Sequence, residues 1–188
     1  MSGTDILGFI LIFGAIIGYL LYKSISGYQR EKKITELLVE RGYDANVNRK
    51  SATNQELKLE AKYEEFKKPK GKRYAYYYRI GLKGEVGEII SFKISERGFF
   101  SKATNSNKGT LPGVKDYNVE TNNPQLMGDM FSKPEITAGL KKLFRQAMKF
   151  EGSINTDKEL NIQVETQRSV GAAITAIDVS QQIISYFR

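Results

Sequence analysis

From Ile6 to Tyr22 the chain runs seventeen residues without a charge (ILGFILIFGAIIGYLLY), bracketed by Asp5 and by a basic run that begins at Lys23. As an α-helix rising ~1.5 Å per residue this run is ~26 Å long, and Gly3 and Thr4 extend it toward the ~30 Å of a bilayer's hydrocarbon core. The pattern predicts a transmembrane anchor over residues 1–23. A cleaved signal peptide carries a positive n-region and a small-residue cleavage site, whereas here Asp5 is the only charged side chain ahead of the apolar run. Lys23, Arg30, Lys32 and Lys33 follow it, so the positive-inside rule assigns the C-terminal side to the cytosol and the short N-terminal segment to the outside. Tyr19, Tyr22 and Tyr28 fall near the inner boundary, where a ring keeps its body in lipid and its hydroxyl wet.

Beyond the anchor, Ile34, Leu37, Leu38 and Arg41 recur at helical spacing, Glu36 and Glu40 can meet Lys32, Lys33 and Arg41, and Gly42 supplies a C′ residue. These features predict a juxtamembrane stalk helix within 24–43, continuous with the anchor. A helix over 25–41 is ~25 Å long, more than two Debye lengths at physiological salt, so charges beyond it feel the bilayer only if the chain folds back. Residues 44–55, polar and aperiodic over Asp44 to Asn54, read as a linker.

Residues 56–188 read as one α+β domain. Leu57, Leu59, Ala61 and Tyr63 alternate with Lys58, Glu60 and Lys62, a strand period carried by residues that favour helix locally. Tyr74, Tyr76, Tyr78, Ile80 and Leu82 alternate likewise, and KKPKGK between the two segments is a hairpin loop. Further strands are expected at Glu88–Ser95, with Ile90, Phe92 and Ile94 inward, at Tyr117–Thr121, and at Leu160–Glu165 paired with Gly152–Asn155. Arg97–Val114 is a long loop of turn formers. A short helical stretch is expected around Gln125–Phe131. A helix from Pro134 turns Ile136, Leu140, Leu143, Phe144 and Ala147 to the core, and a final helix capped by Ser169 does the same with Val170, Ala173, Ile177, Ile184 and Phe187. The fold class is therefore α+β: one N-terminal transmembrane helix continuing into a short stalk helix, then a small, mostly antiparallel sheet packed with two main helices.

Composition narrows the chemistry. Among 188 residues there is neither His nor Cys, which removes disulfides, zinc fingers and imidazole bases. No Walker loop or S-x-x-K pair is present, and Gly81-x-x-Gly84-x-x-Gly87 precedes a strand where a dinucleotide fingerprint needs a helix. Catalytic, cofactor and metal sites are thus not expected. The net charge of +8 lies wholly within Lys23 to Lys83, where sixteen Lys and Arg stand against eight Asp and Glu. Its densest part, Lys67 to Arg79, combines Lys67, Lys68, Lys70, Lys72 and Arg73 with four tyrosines, a candidate patch for an anionic partner, either lipid or, less favoured, nucleic acid read with Tyr77 as the stacking ring. Gly14 and Gly18 form a small-xxx-small pair that lets helix backbones approach closely in lipid, a candidate for self-association or a helix partner. Together these features point to a single-pass membrane-anchored interaction or scaffold protein, an accessory subunit of a membrane assembly. The alternative is a membrane-tethered protein whose basic patch is its binding function.

Overall fold

The computed structural model describes residues 3–47, 49–71, 73–96, 116–154 and 158–188, with the side chains of 3–11, 73, 96 and 148 outside that description. The expected loop Arg97–Val114 lies outside the described residues, as do Lys72 and residues 155–157 of the expected turn.

The segments read as anchor and stalk form one unbroken helix, α1 (Gly3–Val39). It ends as the sequence requires: Gly42 takes a φ of 78°, the Gly42 N–H reaches the Val39 carbonyl at 2.9 Å, and the Tyr43 N–H reaches the Leu38 carbonyl at 3.0 Å. This is a Schellman closure, in which a left-handed C′ glycine lets the chain turn back on the last helical carbonyls.

Eight antiparallel strands follow: β1 (Asp44–Asn46), β2 (Ser51–Asn54), β3 (Leu59–Lys70), β4 (Arg73–Glu85), β5 (Phe92–Glu96), β6 (Tyr117–Thr121), β7 (Ala147–Ile154) and β8 (Glu159–Gln167), in the order β1-β2-β3-β4-β8-β7-β5-β6. Three more helices stand among the described residues: α2 (Pro124–Phe131), α3 (Pro134–Phe144) and α4 (Val170–Tyr186). Alternation decides which face of the sheet is covered. Leu59, Ala61, Tyr63, Tyr78, Ile80, Leu82, Leu160, Ile162 and Val164 are buried beneath the helices, while Lys62, Glu64, Lys83 and Gln163 look out from the opposite face. The final helix α4 lies across β4, β8 and β3, flanked by α1 and α3. Its caps are regular, with the Ser169 hydroxyl accepting the Ala172 N–H at 3.1 Å. Gly84 belongs to this packing and not to a ligand loop, since a Cβ there would stand 2.6 Å from Leu59 Cδ2 and 2.8 Å from Ile184 Cγ2.

Several expectations shift. The segment read as a linker holds β1 and β2, strands too short to show periodicity. Ala147 opens β7 instead of closing α3, and the strand expected from Glu88 begins at Phe92, although Ile90 is buried as anticipated. The stalk does not stand clear of the domain. Ile34 and Leu38 are fully buried against the domain core, and Arg41 forms a two-pronged pair with Asp178 of α4 at 2.7 and 3.2 Å. Tyr43 donates to Gln181 Oε1 at 3.1 Å, and burial, with Asp178 nearby, pushes its phenol up to about 12.

The other half of α1 is the opposite case. Ile12, Phe13, Ile16, Ile17, Tyr19, Leu20, Leu21 and Tyr22 are all exposed, from 50% at Ile17 to 72% at Tyr22. At 3.6 residues per turn these positions occupy every side of the helix. Among the described residues no helix is long and apolar enough to cross a membrane. The uncharged run begins at Ile6, so its first residues, Ile6–Leu11, lie where side chains are not described, and the expected span concerns them as well as Ile12–Tyr22.

Candidate functional site

β3 and β4 outrun their neighbours. Pairing of β2 reaches only Ser51↔Lys62 and that of β8 only Tyr77↔Gln167, whereas β3 and β4 stay in register with each other to Lys70↔Arg73. The surplus is a two-stranded arm that leaves the sheet and turns at Gly71, whose φ of 61° suits a glycine.

The arm runs back along α1. Tyr63, opposite Ile80 in the β3–β4 register, has its hydroxyl 3.4 Å from Thr35 Oγ1. Lys50 pairs with Glu31 at 2.8 Å, and four residues down β4 from Ile80 the Tyr76 hydroxyl accepts from Lys23 Nζ at 3.1 Å. As β4 retreats from Ile80 to Tyr76, its level on α1 moves from Thr35 to Lys23, that is, toward the apolar half. The Tyr76 ring also lies between two cations, Lys23 Nζ at 4.8 Å and the Arg168 guanidinium at 5.1 Å from its centroid. The hydrogen bond from Lys23 draws the Tyr76 phenol below its ordinary value. Arg168 is held in turn by Glu65 at 2.5 Å. A cleft between α1 and the base of the arm is lined by Leu20, Lys23, Tyr28, Glu31, Glu65 and Arg168.

On the opposite face of the arm the carboxylates are engaged. Arg79 bridges Glu64 at 2.6 Å and Glu165 at 3.2 Å, and Lys68 pairs with Glu165 as well. Burial pushes the Glu165 carboxyl up, but hydrogen bonds from Lys68 and Arg79 outweigh it and hold the group below the ordinary carboxylate value. Phe66 and Tyr77 pack ring to ring at 5.9 Å, with Lys68 and Arg79 over Phe66 at 5.3 and 4.8 Å. Farther up the same face, a shallow concavity is lined by Arg49, Lys62, Arg79, Lys83, Glu60 and Gln163.

The residues singled out from sequence therefore have different fates. Lys67 and Lys70 are exposed on the arm, Lys67 lying 5.2 Å from the Tyr74 ring. Lys68 is spent on Glu165. Lys72 and the Arg73 side chain are outside the description. Tyr77 is half-buried against Phe66 and not a free stacking ring. Gly14 and Gly18 precede the arm's contact at Lys23 on the same helix, and a Cβ at either meets nothing within 4 Å. Sequence reasoning missed Lys23, Tyr76 and Arg168 as a set, and Glu165 as the partner of Lys68, because the contacts that join them span from 53 residues, Lys23 to Tyr76, to 97, Lys68 to Glu165. Among the described residues no group of three or more Asp and Glu is placed to hold a metal ion. What the arrangement offers is a cationic arm aligned with an apolar helix. Comparison with family models, with curated proteins and with solved structures gave no match.

Proposed function

We propose that this chain is a single-pass membrane-anchored interaction or scaffold protein whose α+β head is held at the cytosolic face of the bilayer as an accessory subunit of a membrane assembly. One observation carries the reading. The apolar half of α1 is uncovered on every side, and a helix apolar all round is stable only inside a protein core or in lipid. Among the described residues none forms a core around it, since Ile34 and Leu38 fill the domain side of the same helix about two to three turns beyond Tyr28. Burial is worth roughly 1.5–3 kcal/mol per large side chain, so the eight large side chains of Ile12–Tyr22 make a strong drive toward lipid. Charge supports the orientation: Lys23, Arg30, Lys32 and Lys33 all lie on the head's side of the run.

Membrane extraction and a fused reporter test this. The full chain expressed in cells is expected to stay with membranes through alkaline carbonate washing, and a reporter after Arg188 is expected to behave as cytosolic. Replacing Ile16 and Ile17 with Asp should release the protein, because a charge near a helix centre in the bilayer costs about 2.5–3.5 kcal/mol. Release of the unaltered chain by carbonate would mean that α1 is covered by another protein and would end the anchor reading. A reporter active only outside would reverse the topology.

A further inference from the structure

Taking α1 as the anchor proposed above, we infer that the β3–β4 arm is a second membrane contact whose ligand is the headgroup of anionic lipids. The argument begins with level. Lys23 is the first charge after the uncharged run, so it marks the boundary between hydrocarbon and headgroups, and Tyr76, hydrogen-bonded to it at 3.1 Å, shares that boundary. From Tyr76 the arm continues in the same direction to its turn at Gly71, five residues at ~3.3 Å each, or ~16 Å. Straight on, that length would carry the tip past Lys23 into hydrocarbon, which excludes its cations. The tip therefore bends into the plane of the interface, with its side chains among lipid headgroups.

The tip's chemistry fits that position. From Phe66 to Tyr78 there is no acidic residue. With Lys68 neutralised by Glu165, the described cations left for a ligand are Lys67 and Lys70, and both are exposed. Tyr74, 65% exposed beside Lys67, pairs an apolar ring with a hydroxyl and a neighbouring ammonium, the combination that settles at a lipid–water boundary. A single-stranded nucleic acid needs free ring faces for its bases. Here Tyr78 is buried, Tyr77 packs on Phe66, and Tyr76 is bracketed by Lys23 and Arg168, which leaves Tyr74 alone. The same patch therefore fits a headgroup surface better than a strand of bases.

The chain has no Trp, so one introduced Trp reports its own surroundings. Full-length Tyr74→Trp and, separately, Phe13→Trp are reconstituted into nanodiscs of phosphatidylcholine alone or with phosphatidylglycerol, each with brominated lipid as quencher. Phe13→Trp is expected to be quenched in both. Tyr74→Trp is expected to be quenched and blue-shifted with phosphatidylglycerol, and Lys67→Gln with Lys70→Gln should weaken that surface equilibrium about 25-fold, about fivefold per lysine. Where the Trp itself disturbs the arm, Lys70→Cys carrying a polarity-sensitive dye gives the same reading, the chain having no other Cys. Quenching of Phe13→Trp but none at residue 74 or 70 in either lipid overturns the arm contact and leaves the anchor standing. No quenching at either position overturns both. A residue-74 signal that ignores phosphatidylglycerol but responds to an added oligonucleotide assigns the arm to nucleic acid and overturns the inference.

Discussion

Two kinds of interaction tie α1 to the head, and their magnitudes differ. The Arg41–Asp178 pair is well formed, and Arg41 Nη1 also donates to the Leu37 carbonyl at 2.9 Å, but both partners are partly exposed, a setting in which ion pairs contribute roughly 0.2–1 kcal/mol. Ile34 and Leu38 are fully buried, and truncating such a side chain to Ala costs about 2–5 kcal/mol. Burial therefore holds the helix and the ion pair sets its register. In urea unfolding of the detergent-solubilised chain, Ile34→Ala is expected to lower stability several-fold more than Asp178→Ala. Comparable losses would shift the role to the charge pair. Glu165 makes a second prediction at this scale. Its folded carboxyl titrates below the ordinary carboxylate range, so its contribution is complete above the unfolded chain's value and is lost as the pH falls through the lower folded one. Glu165→Gln should flatten the acid limb of stability against pH while leaving the arm's other rungs in place. An unchanged acid limb would mean that Lys68 and Arg79 do not govern that carboxylate.

Among the elements, legibility followed the range of the interactions that make them. Tyr117–Thr121 and the helix from Pro134 were readable because a strand's alternation and a Pro at the first helical turn are local signals. β1 and β2 were not, since three or four residues in Asn-rich sequence show no period. Their order comes from pairing with β3, as in Ala52↔Ala61. The basic hairpin was visible as a turn between two strands, but Lys67–Lys70, read as its loop, are the end of β3, and its direction depends on Lys23 meeting Tyr76 across 53 residues. Gly14 and Gly18 raise a prediction that belongs to α1 alone. A Cβ at Gly14 or Gly18 meets nothing within 4 Å, so replacing both with Ile leaves the single chain undisturbed. Any resulting loss of crosslinked oligomer or of copurifying membrane protein must then come from a helix packed against that face, and such a loss is expected. An unchanged oligomer and an unchanged set of copurifying proteins would remove the glycines from the interface.

For the molecule as a whole, the main consequence is that the N-terminal helix and the head are not separable at the apparent linker. α1 is one helix of 37 residues whose last turns complete the core, so head orientation is fixed by packing and not by a flexible tether. The arm, rooted in the sheet and hydrogen-bonded to Lys23, fastens the same head to the same helix a second time. A fragment cut at the head's first strand, Asp44–Arg188, keeps all eight strands and α2 to α4 yet loses Ile34, Leu38 and the partner of Asp178. Two buried side chains at about 2–5 kcal/mol each approach the 5–15 kcal/mol that stabilises an ordinary domain. That fragment is expected to unfold without a sharp transition and to expose apolar surface to a dye. A fragment that begins at Gly27 retains the buried turns of α1 but none of the uncovered apolar run, and it is expected to melt cooperatively. Equal cooperativity in the two fragments would show that α1 only rests on the head, and the fixed orientation would fall with it.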